Sequence, residues 1–325
     1  MWDLVSRERV IHSSNVGGEK RSVLVGIPVY NSEKTITSCL EKVLNQAQSS
    51  CYIQNVLVVA SGCTDNTVEL VKRKQSVDAR LLLLEEGTRR GKASALNKIF
   101  EFFNTHPYDY LVVTNGDTKL DGAAVDRLIE HAEHTGARLV CGSPKPSTHP
   151  VSRLNSIYEF IWELHNLFLE VGSKLEKPHC TDELMCFSSD VSWRIPSEVV
   201  NDGAYFSVLL AVKGEKRGYC SQAIVGVSVP KTVSGLIKQR SRIVLGHVLL
   251  KERFGVTSDT FESTVILKPK LAIDVLAHQV IKRGLICFIK TTAIEGISLF
   301  VAMIRYMFGS EPWIWERVEY AEADT

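Results

Sequence analysis

The stretch VLVGIPVY at positions 23–30 is an apolar run of strand length. Four later runs share this character: VLVVAS (56–61), RLLLLEE (80–86), YLVVTN (110–115) and ARLVCGS (137–143). Helical patterns separate the runs, near 33–47, 65–76, 91–104 and 121–135. Apolar strands without strong alternation, separated by helices, are typical of a mainly parallel sheet covered on both faces. The sequence therefore predicts a doubly wound α/β domain that binds ligands at the carboxyl ends of its strands.

The composition of the 325-residue chain is that of an ordinary globular protein. It has 38 basic and 37 acidic residues, 45% of its residues are apolar and 23% are charged. These proportions exclude disordered and low-complexity classes. A net charge of +1 argues against a dedicated nucleic-acid-binding protein, because such proteins are usually clearly basic. We therefore expect no nucleic-acid partner.

Eight cysteines are scattered through apolar segments, and none forms a CxxC pair. Their spacing argues against a zinc site, and disulfide frameworks belong mainly to small secreted chains. We therefore interpret the thiols as core residues in a reducing compartment. The first residues, MWDLVSRERV, lack an apolar stretch of signal-peptide length, so we expect no signal peptide.

The carboxyl ends of four predicted strands carry aromatic, polar, cationic and carboxylate residues, together with glycines and a proline. They are Pro28, Tyr30 and Asn31, then Ser61 and Asp65, then Gly91 and Lys92, and finally Asn115, Gly116 and Asp117. Taken singly, each segment is explained as a turn, a solvated charge run or a helix start. Together they indicate a ligand that combines a base, phosphates and a divalent metal. The chain lacks the GxxxxGK[ST] of a P-loop and the GxGxxG of a dinucleotide-binding fold.

In this order, the segments resemble those of the family 2 inverting glycosyltransferases, which have the A-type nucleotide-sugar fold. The resemblance runs from about Ser22 to about His247 and includes six motifs: PVYNSEKTI (28–36), VVASGCTDNTVEL (58–70), GKASALN (91–97), VVTNGDTKL (112–120), ND (201–202) and QRSRI (239–243). The last motif resembles the Q-x-x-R-W of the cellulose-synthase-like branch. The resemblance implies a Rossmann-like, mainly parallel sheet. It also implies donor contacts from Asn97, Gln239, Arg240 and Arg242.

The sequence departs from the family pattern in four places. Ala60-Ser61 replace the usual paired acids, so a carboxylate contact to the base or ribose is lost or comes from Asp65. Asn115 replaces the first acid of the DxD metal motif, and Asn201 replaces the acid before the catalytic base. Ile243 replaces the final Trp, which argues against a processive polymerase.

The chemistry of sugar transfer explains the residue types at the predicted donor site. A Mg²⁺ or Mn²⁺ ion would stabilise the leaving diphosphate. Such ions often take one or two carboxylates, with phosphates and water, so Asp117 suffices as the protein's metal ligand. We expect Asn115 to bind the ribose or sugar rather than the metal. Lys92 with Arg240 or Arg242 would contact the phosphates.

Inverting transfer requires a base that deprotonates the acceptor hydroxyl, and we assign this role to Asp202. Asp202 follows a strand-like piece at 197–201 and precedes an apolar helix at 204–212. The alternative interpretation is a carboxylate in the first turn of a helix, where the helix dipole favours it.

The segment between the metal motif and the predicted base is less regular. Apolar residues at helical spacing predict an amphipathic helix over 154–171. The following run HCTDE (179–183) fits no common zinc pattern. We expect His179 or Asp182 to contact an acceptor phosphate or sugar.

The composition changes from Lys268 onward. Apolar residues recur at three-to-five spacing up to Ile286 with basic residues beside them, a pattern typical of a helix in a membrane interface. The apolar stretch 284–304 contains Lys290 and Glu295, and charges within a membrane span are costly. The alternative is that both stretches pack on the catalytic domain.

The sequence thus predicts a polar lead-in at 1–20, a catalytic domain at 21–255 and C-terminal amphipathic helices at 256–325. The predicted activity is metal-dependent, inverting transfer of one hexose to a lipid or lipid-linked acceptor at the cytoplasmic membrane face. The resemblance favours GDP-mannose as the donor, followed by UDP-glucose. A nucleotidyltransferase and a non-catalytic sugar-nucleotide-binding protein are the alternatives, the second because of the amides Asn115 and Asn201.

Overall fold

The computed structural model describes residues 19–147, 154–174, 179–255 and 269–309. The strands in these ranges are β1 (Arg21–Val29), β2 (Cys51–Ser61), β3 (Leu81–Glu86), β4 (Tyr110–Thr114), β5 (Thr118–Leu120), β6 (Leu139–Pro146), β7 (Leu184–Ser188) and β8 (Arg217–Val227). The helices are α1 (Ile36–Leu44), α2 (Thr67–Gln75), α3 (Lys92–Thr105), α4 (Ala124–Thr135), α5 (Asn155–Lys174), α6 (Asp202–Lys213), α7 (Val233–Phe254), α8 (Pro269–Arg283) and α9 (Leu285–Met307).

The strands form one sheet in the order β3-β2-β1-β4-β7-β6-β8-β5. The four strands β3, β2, β1 and β4 are parallel, β7 is antiparallel to both of its neighbours, and β6 is parallel to β8. The prediction of a mainly parallel α/β sheet is confirmed, and the five predicted runs correspond to β1, β2, β3, β4 and β6. The remaining strands β5, β7 and β8 were not predicted. The prediction of a strand-like piece at 197–201 was wrong, because this segment is a turn that leads into α6.

The two faces of the sheet carry two separate cores. Alternate residues of β1 project to opposite faces, so Val23 and Val25 join the core under α1, α2 and α4, whereas Leu24 joins the core under α3 and α6. Gly26 allows α3 to pack directly on β1, because a Cβ there would lie 2.4 Å from Cγ2 of Ile99. All eight cysteines are free thiols, and seven are buried. Their interpretation as core residues is therefore confirmed.

The C-terminal helices α8 and α9 are separate elements joined at Gly284, whose φ of 90° ends α8. Arg283 of α8 forms ion pairs with Glu159 and Glu163 of α5, and Lys282 also contacts Glu163 at 3.2 Å. The Arg283 guanidinium lowers the pKa of Glu163 to about 2. The basic border predicted for this region therefore lies partly against α5.

Helix α9 has one buried stripe and one exposed apolar face. The stripe consists of Cys287, Thr291, Ile294, Ser298 and Ala302. On the other face, Ile286, Phe300 and Met307 are 72%, 63% and 70% exposed. The helix has a window of mean hydropathy 1.8 and is long and apolar enough to cross a membrane, although 28% of that window is buried. Among the described residues, α9 therefore packs on α5 and α7 with its buried side, and its other side is exposed.

Candidate active site

The carboxyl ends of β1, β2 and β4 meet the amino end of β7 at one edge of the sheet. Thr114 at the end of β4 pairs with Leu184 at the start of the antiparallel β7. The segment 115–117 leaves the sheet at the point where Asp182 and Glu183 enter it. Two segments that are distant in the sequence therefore place acidic side chains at the same edge.

Lys92 and Asp202 form an ion pair at this edge. The ammonium Nζ lies 2.9 Å from Oδ2 and 3.3 Å from Oδ1 of the carboxylate. Lys92 begins α3 after Gly91, which has a φ of 86°, and Asp202 begins α6. The side chains are 17% and 3% exposed, so the pair is largely shielded from water. Burial lowers the pKa of Lys92, but the charges of Asp202, Asp182 and Glu183 outweigh it and raise that pKa.

Three further carboxylates interact electrostatically with this pair. Burial raises the pKa of Asp117, and Lys92 opposes the shift. Burial also raises the pKa of Glu183 to about 7. The charge of Lys92 opposes this shift, and the charge of Asp117 adds to it. Burial and the neighbouring Asp202 hold the pKa of Asp182 well above its usual range. Among the described residues, this site thus has more acidic groups than Lys92 neutralises, an arrangement that favours a bound cation.

Asn115 and Glu183 are in direct contact, since the amide Nδ2 donates a hydrogen bond to Oε2 at 3.0 Å. Asn115 occupies the first position of the metal motif, where the family has an acid. The structure therefore brings a carboxylate from the start of β7 next to the position that lacks one.

The amino end of α6 is held in place by close backbone contacts. The amide N–H of Gly203 donates to Oδ1 of Asp182 at 2.7 Å, and a Cβ on Gly203 would lie 2.4 Å from the carbonyl of Cys180. Asn201 donates from Nδ2 to the carbonyl of Ile243 in α7 at 2.8 Å. An ionised acid could not donate this bond. The hydrogen bond to Ile243 therefore explains why position 201 has an amide instead of an ionised acid.

The loops after β1 and β2 hold each other through side chains predicted to bind the donor. Asn31, with a φ of 48°, donates from Nδ2 to the hydroxyl of Thr64 at 3.0 Å and accepts from the Thr64 amide at 2.8 Å. Asp65 accepts bonds from the Glu33 amide at 3.2 Å and from both the amide and the hydroxyl of Thr67. Both oxygens of Asp65 therefore already have partners in this structure.

The other predicted residues of this region lie at different depths. Tyr30 is half-buried beneath the guanidinium of Arg89, 3.9 Å from its ring centroid, and Ser61 accepts from the Arg90 amide at 3.3 Å. Pro28 is buried within β1, and Gly116 is buried where a Cβ would lie 2.5 Å from Val29. Asn97 uses both ends of its amide on the backbone of Ile195, at 2.7 and 3.0 Å. The donor role of these residues stays a prediction.

The predicted phosphate contacts of the QRSRI segment lie on α7. Gln239, Arg240 and Arg242 are half-buried. Nε of Arg240 contacts Glu295 of α9 at 2.8 Å to Oε1 and 3.1 Å to Oε2.

His179 lies deeper than an acceptor contact would suggest. It is 8% exposed, and its ring centroid lies 6.2 Å from that of His165 and 5.8 Å from that of His247. Burial and these two rings lower the pKa of His179 well below its usual range, so the ring is neutral. Asp182, in contrast, is directly beside the predicted base.

The family model described as Glycosyl transferase family 2 matches residues 24–194, more than half of the chain. The chain belongs to glycosyl transferase family 2. A poly-beta-1,6-N-acetyl-D-glucosamine synthase from Staphylococcus aureus is 29% identical over 241 residues, which cover 69% of this chain and 55% of that protein. A synthase of the same name from Staphylococcus epidermidis is 24% identical over 299 residues, 86% of this chain and 67% of that protein. The chain thus spans about half the length of the S. aureus relative.

A solved structure shares the fold of this family 2 chain. The mannosyltransferase PcManGT from Pyrobaculum calidifontis, in complex with GDP-Man and Mn²⁺, matches with a TM-score of 0.65 and 20% identity. The match covers 90% of this chain and 89% of that chain. The glycosyltransferase A-type fold is therefore shown.

Glu183 is the acidic residue beside Asn115 that the motifs in the sequence did not indicate. It stands in the HCTDE run, but without β7 nothing in the sequence places that run beside the metal motif. A prediction of a strand in LMCFS (184–188) would have identified it.

Proposed function

We propose that this family 2 chain is a metal-dependent, inverting glycosyltransferase that moves one hexose from a nucleoside-diphosphate sugar to an acceptor hydroxyl. The main support is the shielded ion pair of Asp202 with Lys92 at the edge of the sheet where Asp117 also lies. In this proposal, Asp202 serves as the base for the acceptor, and a cation at Asp117 in the same site stabilises the leaving group.

Asp202 is the proposed catalytic base. Its carboxylate accepts the proton of the acceptor hydroxyl while that oxygen forms a bond to the anomeric carbon of the sugar. The bond between this carbon and the diphosphate oxygen breaks, and its electron pair leaves with the diphosphate. Lys92 has three N–H donors, so a diphosphate can share the ammonium that otherwise pairs with Asp202.

Asp117 is the proposed ligand of Mg²⁺ or Mn²⁺. The residues fit such an ion, because the partly buried carboxylates of Asp117 and Glu183 repel each other and a divalent cation would compensate their charge. In the described part of the chain no group of three or more acidic, His or Cys side chains is arranged around a metal position, so diphosphate oxygens and water would complete the coordination. When bound, the metal stabilises the charge that develops on the leaving diphosphate.

GDP-mannose is the first proposed donor and UDP-glucose the second. The structural neighbour PcManGT, solved with GDP-Man and Mn²⁺, supports the first. The relatives named poly-beta-1,6-N-acetyl-D-glucosamine synthase favour a second candidate function, transfer of N-acetylglucosamine.

The proposed acceptor is a lipid or lipid-linked molecule reached from the cytoplasmic face of the membrane. The exposed apolar face of α9 supports this proposal, because soluble proteins rarely expose large contiguous apolar patches. The proposed organisation is a catalytic domain at 21–255 followed by a membrane-interface region at 256–325.

A panel of labelled nucleotide sugars with Mn²⁺ tests the proposed reaction. We expect metal-dependent release of the nucleoside diphosphate from one donor, abolished by EDTA and restored by Mn²⁺. Release without metal would contradict metal dependence. Binding of a donor without any turnover would favour the non-catalytic alternative, and family membership argues against the nucleotidyltransferase.

A further inference from the structure

Glu295 is an acidic residue inside the apolar helix α9, next to the buried Ile294. Its side chain is 29% exposed, and that of Arg240 is 19% exposed. A partly buried carboxylate is costly unless a partner compensates its charge. The contacts of 2.8 and 3.1 Å to Nε of Arg240 supply that partner. The ion pair with Arg240 of α7 therefore explains how Glu295 is accommodated in the apolar helix α9.

Arg240 lies one helical turn before Ile243, whose carbonyl accepts the hydrogen bond from Asn201. Asn201 directly precedes the proposed base Asp202. Gly246 of α7 also lies close to this side chain, since a Cβ there would lie 2.7 Å from Nδ2 of Asn201. This part of α7 therefore packs against the residue that precedes the proposed base.

An arginine guanidinium is a rigid planar fork, so holding its Nε edge fixes the direction of its outer nitrogens. We infer that Glu295 is a positioning residue, which orients Arg240 of α7 for contact with the donor diphosphate. This inference rests on the proposed function and on the sequence-based expectation that Arg240, rather than Arg242, contacts the donor diphosphate. The apolar helix α9 then contributes to donor binding through one carboxylate.

A merely structural role predicts something different. If the ion pair only attached α9 to α7, any pair of opposite charges at the two positions would serve. If Glu295 acts through Arg240, only an arginine at position 240 supports donor binding. The exchanged pair in R240E/E295R separates the two roles.

The first test measures binding of GDP and of UDP, each with Mn²⁺, by calorimetry on the full chain. Glutamine is close to glutamate in size and lacks its charge. We expect Glu295→Gln to weaken binding of whichever nucleotide the wild type binds by about 5- to 30-fold. Lys290→Gln, which removes an exposed charge from the same helix, is the matched control and should stay within about twofold. In an Arg240→Gln background, Glu295→Gln should have no further effect.

The second test compares affinity with melting temperature. The R240E/E295R variant should recover most of the melting temperature lost in E295R alone, yet bind nucleotide no better than Arg240→Gln. Full affinity in Glu295→Gln, or recovered affinity in the exchanged pair, would overturn the inference and leave the proposed function intact. Failure of wild type to bind either nucleotide would instead overturn the proposed function and the inference with it.

Discussion

The donor edge of the sheet and the outer face of α9 depart from ordinary protein surfaces in opposite ways. At the edge, Asp117, Asp182, Glu183 and Asp202 stand around a single lysine, and burial raises the pKa of three of them. On α9, large apolar side chains are exposed. Folding alone favours neither arrangement, because buried charge and exposed hydrophobic surface are both unfavourable.

The comparison indicates two different kinds of partner. Among the described residues, the carboxylates of the edge outnumber Lys92, and a metal ion would supply the missing positive charge. The face of α9 lacks apolar cover, which a membrane interface would supply. The Arg240–Glu295 pair lies between the two regions, because it joins α9 to the helix α7 that contacts Asn201 beside Asp202.

The largest expected effect on stability concerns the charge balance of the edge. Lys92→Met leaves Asp202 without its counter-charge and should lower the free energy of unfolding by about 3 kcal/mol. Lys98→Met on the same helix removes an exposed pair with Glu101 and should cost at most about 0.5 kcal/mol. Urea unfolding of both variants measures the difference. Equal losses in the free energy of unfolding would show that the Lys92–Asp202 pair contributes no more to stability than an exposed pair.

A smaller effect is expected when the exposed face of α9 is made acidic. Phe300→Glu with Met303→Glu should weaken binding to anionic vesicles by about tenfold or more, because two apolar side chains no longer enter the interface. Val77→Glu, at an exposed apolar position in the loop after α2, is the matched control and should leave vesicle binding unchanged. Equal vesicle binding by all three proteins in flotation assays would mean that the face of α9 is not a membrane surface.

The smallest expected effect is the pH dependence contributed by Glu183. Its pKa of about 7 lies above the unfolded value, so its contribution to stability is present at low pH and is lost as pH rises to 7. In EDTA, Glu183→Gln should therefore gain roughly 1 kcal/mol over wild type at pH 8 and little at pH 5. Thermal unfolding at both values tests this, with the exposed Glu85→Gln as control. A gain that is equal at the two pH values would show that Glu183 does not titrate between them.

The sequence was sufficient for the parallel half of the fold, because its apolar runs and helix periods are strong local signals. It did not predict β7 and β8, since their pairing with β4 and β6 depends on contacts between distant segments. The same limit explains the site. Asp117 and Asp202 follow from motifs, whereas Glu183 and Glu295 become relevant only when the sheet and α9 bring them to Asn115 and Arg240.

The role of Asp202 is tested most directly by measuring sugar transfer and nucleotide binding for Asp202→Asn in parallel. Loss of the base should lower transfer by about 10²–10⁴-fold, and GDP or UDP with Mn²⁺ should still bind within a few fold of wild type. This result would identify Asp202 as the group that acts on the acceptor. Transfer at a rate comparable to wild type would contradict the account.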